Sequence, residues 1–278
     1  MRAYNTRKKE RFYFVIDQYV PAILGRFKKF NWENPNEKEI KKLVEAIIPA
    51  MFQKEFRLPE KLYPKIVRKF YSQDDKAAAK FHPSNWEISV NAHIFNQLGR
   101  LYYADRDQKT FAKLLANVAG LIYHEFRHCQ QYYWAYVYAC KHQDTLTKMG
   151  YTKYKAWDWF KSKAGVRSNI INMVERQSLP DAGHYYKSSL RIFFLTSYIR
   201  SLHRYGKYNE REKLRFKEEL PYVKKGFGNA VGDVEKMVTE AGYFRRPIEQ
   251  DAYACGWKAK EYYNKLAESA GHPKVKAK

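Results

Sequence analysis

One short run of residues has the types and spacing that chemistry requires, His-Glu-Phe-Arg-His at positions 124–128. Residues four positions apart share a face of a helix, so the imidazoles of His124 and His128 can reach one metal ion. Zinc binds neutral imidazole, and a catalytic zinc site keeps three protein ligands and a water molecule. Glu125 follows the first histidine, where its carboxylate can accept a proton from that water. The run therefore predicts zinc-dependent hydrolysis with Glu125 as the general base.

The alternative explanation of this run is a core helix whose two histidines only form hydrogen bonds. A glutamate buried between two histidines is costly without a cation, which favours the metal site. Gly120 lies one turn before His124 and would leave space on the metal-facing side. The preceding turns carry an apolar face that would bury the helix, formed by Phe111, Leu114, Leu115, Val118 and Ile122.

A catalytic zinc site needs a third protein ligand, and two acidic candidates lie on a helix predicted to begin at Pro247. We expect Glu249, in the first turn, to be that ligand. Asp251 points in another direction and is either the alternative ligand or a residue that orients an imidazole. Both acids also have an ordinary explanation, since carboxylates are favourable at a helix N-terminus. The form HExxHxxGxxH is absent, because Gln131 and Trp134 replace its glycine and last histidine.

The sequence resembles gluzincin-like zinc metallopeptidases in three segments: HEFRH followed by Gln131, the upstream WEISVN, and the downstream PIEQDAYA. Several such families share HExRHxxQ with a later P-x-E-x-[DE]-A. The resemblance implies that His124, His128 and Glu249 bind zinc and that Glu125 is catalytic. It extends from residue 58 to residue 256 with the middle unmatched, and it says little about residues 1–57.

The segment WEISVN predicts a half-buried strand, because Trp86, Ile88 and Val90 alternate with polar residues. A cluster of turn-forming residues precedes it at positions 82–85. In zincins an edge strand above the metal pairs with the extended substrate by main-chain hydrogen bonds. We expect residues 86–91 to be this substrate edge strand, with an ordinary core strand as the equal alternative.

Hydrolysis of an amide also needs a hydrogen-bond donor for the developing oxyanion. Tyr243 and Arg246 are the preferred candidates, because they lie close to Glu249 in the sequence. The sequence does not choose among all the available donors, which also include Arg245, His184 and His203.

Few strands are predicted, so we expect a mainly helical α+β fold. It would be a zincin-like domain with a small antiparallel sheet and a long active-site helix over about residues 110–142. The expected organisation is an N-terminal helical segment (1–57), a metallopeptidase domain (58–270) and a basic, disordered tail (271–278). Helical spacing over residues 8–32 is interrupted at Pro21. A further helix over residues 36–54 has Asn36 as its N-cap.

The net charge of +23 in 278 residues, from 52 Lys and Arg against 29 Asp and Glu, favours polyanion partners. No base-reading motif accompanies it, so we expect non-specific nucleic-acid binding in addition to a protein or peptide substrate. Drift in composition is the alternative explanation of the charge. The rival functions are a basic nucleic-acid-associated or virion structural protein with a vestigial zincin fold, and a non-peptidase zinc hydrolase.

The compartment is predicted from cysteines and apolar runs. Three cysteines are too few and too scattered for a disulfide scaffold, which favours a reducing space. No signal-peptide pattern and no apolar run near the roughly 20 residues of a membrane span are present. We expect a cytoplasmic or other intracellular protein, or one associated with a virion, with no membrane partner.

Overall fold

The computed structural model of this protein describes residues 11–45, 63–71, 77–103, 108–148, 154–163, 167–176 and 247–273. The described helices are α1 (Arg11–Lys29), α2 (Glu37–Glu45), α3 (Ala92–Tyr103), α4 (Gln108–Lys141), α5 (Thr145–Lys148), α6 (Ala156–Lys163), α7 (Ser168–Glu175) and α8 (Pro247–Ala270). The described strands are β1 (Lys65–Lys69), β2 (Ala79–His82) and β3 (Glu87–Asn91). The expectation of a mainly helical α+β fold is confirmed.

The three strands form one sheet in the order β1-β3-β2. β1 is parallel to β3, with Lys65 opposite Glu87, whereas β2 is antiparallel to β3, with Ala79 opposite Val90. The sheet is therefore mixed, and the expected antiparallel sheet is wrong for β1. The antiparallel pair is a hairpin, and β1 fills the other side of β3.

The position of β3 corrects the expected substrate edge strand, which was Trp86, Ile88 and Val90. β3 is the central strand, so its two rows of backbone groups face β1 and β2. A central strand offers no free edge to an extended peptide. Among the described strands, the edges of the sheet belong to β1 and β2.

The turn between β2 and β3 covers Pro83–Trp86, and the N–H of Asn85 donates to the carbonyl of His82 at 3.2 Å. Trp86 has φ 54, a left-handed conformation that costs a bulky residue roughly 1–2 kcal/mol. Its ring is buried and meets the ring of Phe81 edge-on, with 5.3 Å between the centroids. This packing offsets the backbone cost, and the predicted strand begins one residue later than expected.

Helix α1 differs from its prediction, because it continues through Pro21 instead of stopping there. Proline removes one backbone hydrogen bond from a helix interior. The loss is offset by the buried face of the helix, which includes Tyr19, Val20 and Ile23. The hydroxyl of Tyr19 donates to the carbonyl of Ala119 at 2.6 Å, and burial raises the pKa of this phenol well above its usual range.

Helix α2 begins as predicted, because the side-chain oxygen of Asn36 accepts from the N–H of Glu39 at 3.0 Å. The predicted continuation of this helix to residue 54 lies outside the described residues. Of the expected tail, 271–273 are described and follow the end of α8.

Contacts divide the chain into two units. The first comprises Thr6–Gln130 with Ala252–Lys278, and the second Gln131–Asp251 with Met1–Asn5. The division does not follow the expected boundary at residue 57. It passes through α4 and α8, each of which is one continuous helix.

Each unit has an aromatic core. The core of the first includes Phe27, Trp32, Phe95, Phe111 and Tyr263. The core of the second includes Tyr136, Trp157 and Phe160. No helix in the described part of the chain is both long enough and apolar enough to cross a membrane.

Candidate metal centre

The centre of the site is a pair of histidines one turn apart on α4. The Nε2 atoms of His124 and His128 lie 3.0 Å apart, and their rings are nearly perpendicular at 89°. Both side chains are buried. Two imidazoles on one tetrahedral zinc, each about 2.0–2.1 Å from the ion, place their nitrogens roughly 3.3 Å apart. The observed separation is close to this value and is also within hydrogen-bond distance, so the pair fits a shared metal ion as well as the alternative of a direct hydrogen bond between the rings.

Glu249, in the first turn of α8, completes a group of possible ligands. One ligand atom from each of Glu249, His124 and His128 lies within 4.8 Å of the others. Glu249 is only 2% exposed. Two imidazoles and one carboxylate are a common ligand set of catalytic zinc. Among the described residues this is the one group of three or more such side chains.

Two glycines allow α4 and α8 to approach each other closely. A Cβ on Gly120 would lie 2.7 Å from the carbonyl oxygen of Gly256, and a Cβ on Gly256 would lie 2.6 Å from that of Gly120. Both distances are shorter than real Cβ atoms allow, so a larger residue would push the backbones apart. Gly120 lies one turn before His124, and the Cβ position of Gly256 is 3.2 Å from the Cβ of His124. The sequence indicated space at Gly120 but not its partner, although a glycine inside a helical pattern is itself a signal of close packing.

The side chain of Gln131 holds the first turn of α8. Its Nε2 donates to the Oδ2 of Asp251 at 2.6 Å and to the carbonyl of Ile248 at 3.2 Å. Asp251 and Gln131 are both buried. The carboxylate of Asp251 therefore contacts an amide of α4, and Asp251 is not part of the three-residue group. In the sequence Gln131 was identified only as part of the motif, and its hydrogen bond to Asp251 was not predicted.

Glu125 lies between the histidine pair and the sheet. Its Oε1 is 3.7 Å from the Nε2 of His124, and its side chain is 13% exposed. Its Oε2 accepts a hydrogen bond from the N–H of Phe81 at 2.7 Å. Phe81 belongs to the edge strand β2, which the sequence did not predict. The sheet edge next to Glu125 is therefore β2, not β3.

Tyr253 is a further residue at the site, and it was not predicted from the sequence. Its ring lies against the ring of His124, with 4.3 Å between the centroids. Tyr253 follows Glu249 by four residues, so the two share a face of α8. That spacing was the signal in the sequence that could have identified it.

Cys129 follows His128, is buried, and does not belong to the group of possible ligands. Burial raises the pKa of its thiol well above the usual range. The expected oxyanion donors Tyr243 and Arg246 lie outside the described residues, as do Arg245, His184 and His203.

No protein-family model, no curated protein and no solved structure matches this chain.

Proposed function

We propose that this protein is a zinc-dependent metallopeptidase of the zincin type, with His124, His128 and Glu249 as ligands and Glu125 as general base. One observation carries the proposal. Two imidazoles and a carboxylate are buried together within 4.8 Å, beside a second carboxylate on the same helix as the imidazoles. Burying the carboxylate of Glu249 near the partly exposed carboxylate of Glu125 is costly unless a cation compensates the charge.

The residues of the chain have distinct roles in this proposal. A bound zinc ion would supply a water molecule whose pKa is lowered toward ~7. Glu125 takes a proton from the attacking water and passes it to the leaving nitrogen of the peptide bond. Its Oε1 faces His124, while the bond from the N–H of Phe81 to Oε2 fixes the orientation of the carboxylate.

The substrate in this proposal is a protein or peptide that pairs with the outer edge of β2. Phe81 donates its N–H away from β3 and toward Glu125, so this edge of the strand faces the metal centre. An extended peptide can add by main-chain hydrogen bonds to the part of this edge that Glu125 leaves open, since the N–H of Phe81 already donates to Glu125. β2 therefore takes the role of substrate edge strand that was expected for Trp86, Ile88 and Val90.

Metal analysis and one variant test the function. We expect about one zinc per chain after gentle purification, and loss of that zinc in His124→Ala. Glu125→Gln should keep the zinc and the fold and lower peptide turnover by a factor of ~10² or more, because it removes only the base. The absence of any transition metal, even after zinc is added, would contradict the proposal. Unchanged proteolysis by Glu125→Gln would show that another group transfers the proton.

The same variant separates the rival functions. Hydrolysis of a small ester or amide without any peptide cleavage, lost in Glu125→Gln, would support a non-peptidase zinc hydrolase. A zinc-free protein that binds nucleic acid would support the basic structural protein with a vestigial zincin fold. All three cysteines are free, which is consistent with the proposed reducing compartment such as the cytoplasm.

The net charge of +23 supports a second, weaker partner class, nucleic acid bound without sequence preference. Contacts to phosphates release counterions, so the affinity should fall steeply between ~50 and ~200 mM salt. Fluorescence-anisotropy titrations with several unrelated duplexes measure the affinity and its dependence on salt. Similar affinities with a strong salt dependence are expected. A sharp preference for one sequence, or no binding at ~50 mM salt, would refute it.

A further inference from the structure

A cavity of about 670 Å³ opens beside His124. It is formed by the end of β3 and by parts of α3, α4 and α8, and its walls include the apolar side chains of Ile94, Leu114 and Val118. Its volume is within the range of pockets that bind drug-sized ligands, and it exceeds the volume of any single side chain. Because His124 is one of its lining residues, a group held in this cavity lies next to the candidate metal centre.

Two exposed aromatic residues of α8 lie at this cavity. Tyr253 is 38% exposed and Trp257 is 59% exposed, and both line the cavity. Among the described residues only one other large hydrophobic side chain, Phe70, is exposed, and it contacts the cavity-lining His93 with 5.1 Å between the ring centroids. Exposed aromatics concentrated at one cavity mark a binding surface for an apolar group.

Two charged residues of α8 lie at the cavity, Lys260 and Glu261. Lys260 is the one lysine, arginine, aspartate or glutamate among the described lining residues, whereas Glu261 is not a lining residue and accepts a hydrogen bond from the indole N–H of the lining Trp257 at 2.8 Å. The Nζ of Lys260 lies 5.0 Å from the centre of the Trp257 ring, so the ammonium group is close to the aromatic surface. A ligand with an apolar body and a neighbouring anionic group matches this arrangement.

We propose that this cavity binds a large apolar side chain of the peptide substrate, with an acidic residue next to it facing Lys260. The assignment rests on the proposed function, because it treats the ligand beside His124 as the substrate. It names the substrate class, which is a peptide with an aromatic residue adjacent to a carboxylate. Aromatics with lysine also occur in single-strand nucleic-acid sites, but those follow successive phosphates with several cations. This cavity has a single lysine, which favours the peptide.

Binding of short peptides to Glu125→Gln, with zinc added, tests the assignment without turnover. The probes are N-acetylated hexapeptide amides with Phe-Glu, Ala-Glu or Phe-Lys at the centre, titrated by calorimetry. Replacing Phe by Ala should weaken binding roughly 10- to 100-fold, because a buried ring is lost. Replacing Glu by Lys should weaken it about 2- to 5-fold, because an exposed pair contributes little.

Variants in the Glu125→Gln background assign these preferences to residues. Leu114→Trp fills part of the cavity and should abolish the preference for Phe over Ala. Lys260→Gln should abolish the preference for Glu over Lys and keep the preference for Phe. Lys258→Gln is the matched control: Lys258 is exposed, pairs with Glu261 at 2.8 Å and does not line the cavity, so both preferences should remain. Thermal melting identifies any variant that fails to fold. In that case Glu125→Gln without a second substitution still allows the affinities of the Phe-Glu and Ala-Glu peptides to be compared.

Three results would overturn the assignment. They are equal binding of the Phe and Ala peptides, equal effects of Lys258→Gln and Lys260→Gln, and displacement of the Phe-Glu peptide by an oligothymidylate at ~200 mM salt, where non-specific binding to phosphates is weak. The wild-type protein separates this failure from failure of the proposed function. Cleavage of all three peptides at equal rates would refute the cavity assignment and support the peptidase function. Selective binding of the Phe-Glu peptide by a protein that neither cleaves peptides nor binds zinc would support the cavity assignment and refute the peptidase function.

Discussion

The two parts of the candidate metal centre depend on the rest of the chain in different ways. The histidine turn of α4 is a local structure, since the four-residue spacing alone brings the Nε2 atoms of His124 and His128 to 3.0 Å. The first turn of α8, which carries Glu249, follows the histidines in the chain by more than a hundred residues. Contacts between distant residues must hold it in place.

Those contacts are of two kinds, and both involve residues outside the three possible ligands. Gly120 and Gly256 allow the helix backbones to meet closely, and Gln131 binds the turn itself through Asp251 and Ile248. The histidine pair should therefore survive most changes elsewhere that leave α4 helical. The carboxylate should be sensitive to substitutions that touch neither zinc nor substrate.

The largest expected effect distinguishes the two acids of that turn. Glu249→Ala should weaken zinc binding by more than ~100-fold, because it removes a ligand, whereas Asp251→Ala should have a smaller effect through a lost hydrogen bond. Competition titration with a chromophoric chelator measures both affinities. The reverse order would reassign the third ligand to Asp251 and overturn the division between the two residues.

A smaller effect is expected from crowding the helix contact. Gly120→Ala places a Cβ 2.7 Å from the carbonyl oxygen of Gly256, so the free energy of unfolding should fall by about 1–3 kcal/mol. Zinc affinity should fall roughly tenfold as α8 is displaced.

Gly25→Ala is the control for that substitution. Gly25 lies inside α1 with nothing within 4 Å of the Cβ position, so alanine there should raise the free energy of unfolding by about 0.5–1 kcal/mol. Denaturant unfolding and zinc titration measure both variants. If Gly120→Ala is as harmless as Gly25→Ala, the close approach of the helices does not position the carboxylate.

An effect of similar size on zinc binding distinguishes two adjacent buried glutamines. Gln131→Met removes both bonds to the first turn of α8 and should weaken zinc binding about tenfold, the lower end of the range for such supporting residues. Gln130→Met removes an acceptor that lies 3.5 Å from Arg127 and should leave zinc affinity unchanged. Both should destabilise the fold by about 1–3 kcal/mol, since each removes a buried polar partner. Equal zinc affinities of the two variants would mean that Gln131 is only structural.

Aromatic and hydrophobic periodicity determined much of the helical part of the fold. The helix over 108–141 was predicted to within two residues at its start, and the start of the helix from Pro247 to Ala270 was predicted at Pro247. Asn36 was predicted as an N-cap and forms the expected bond. These features depend on interactions within one or two turns, which a sequence displays directly.

The strand that reaches the site was not predictable in the same way. β2 has four residues, too few to show an alternating pattern, and only its pairing with β3 defines it. The order of the sheet, which makes β3 central and leaves β2 at the edge beside Glu125, depends on contacts between separate segments. Likewise, the helix through Pro21 and the left-handed Trp86 are stabilised by buried contacts that override local preference.

The sequence by itself determined which side chains could bind a metal and which could transfer a proton, because residue type and helical spacing are local properties. Only the tertiary structure decided that Glu249 lies with the histidines while Asp251 bonds to Gln131. It also decided that Gly256 is the partner of Gly120 and that Phe81 is the residue that holds Glu125. The physical reason is that these choices depend on how closely two backbones can approach and on where each buried polar group finds its partner.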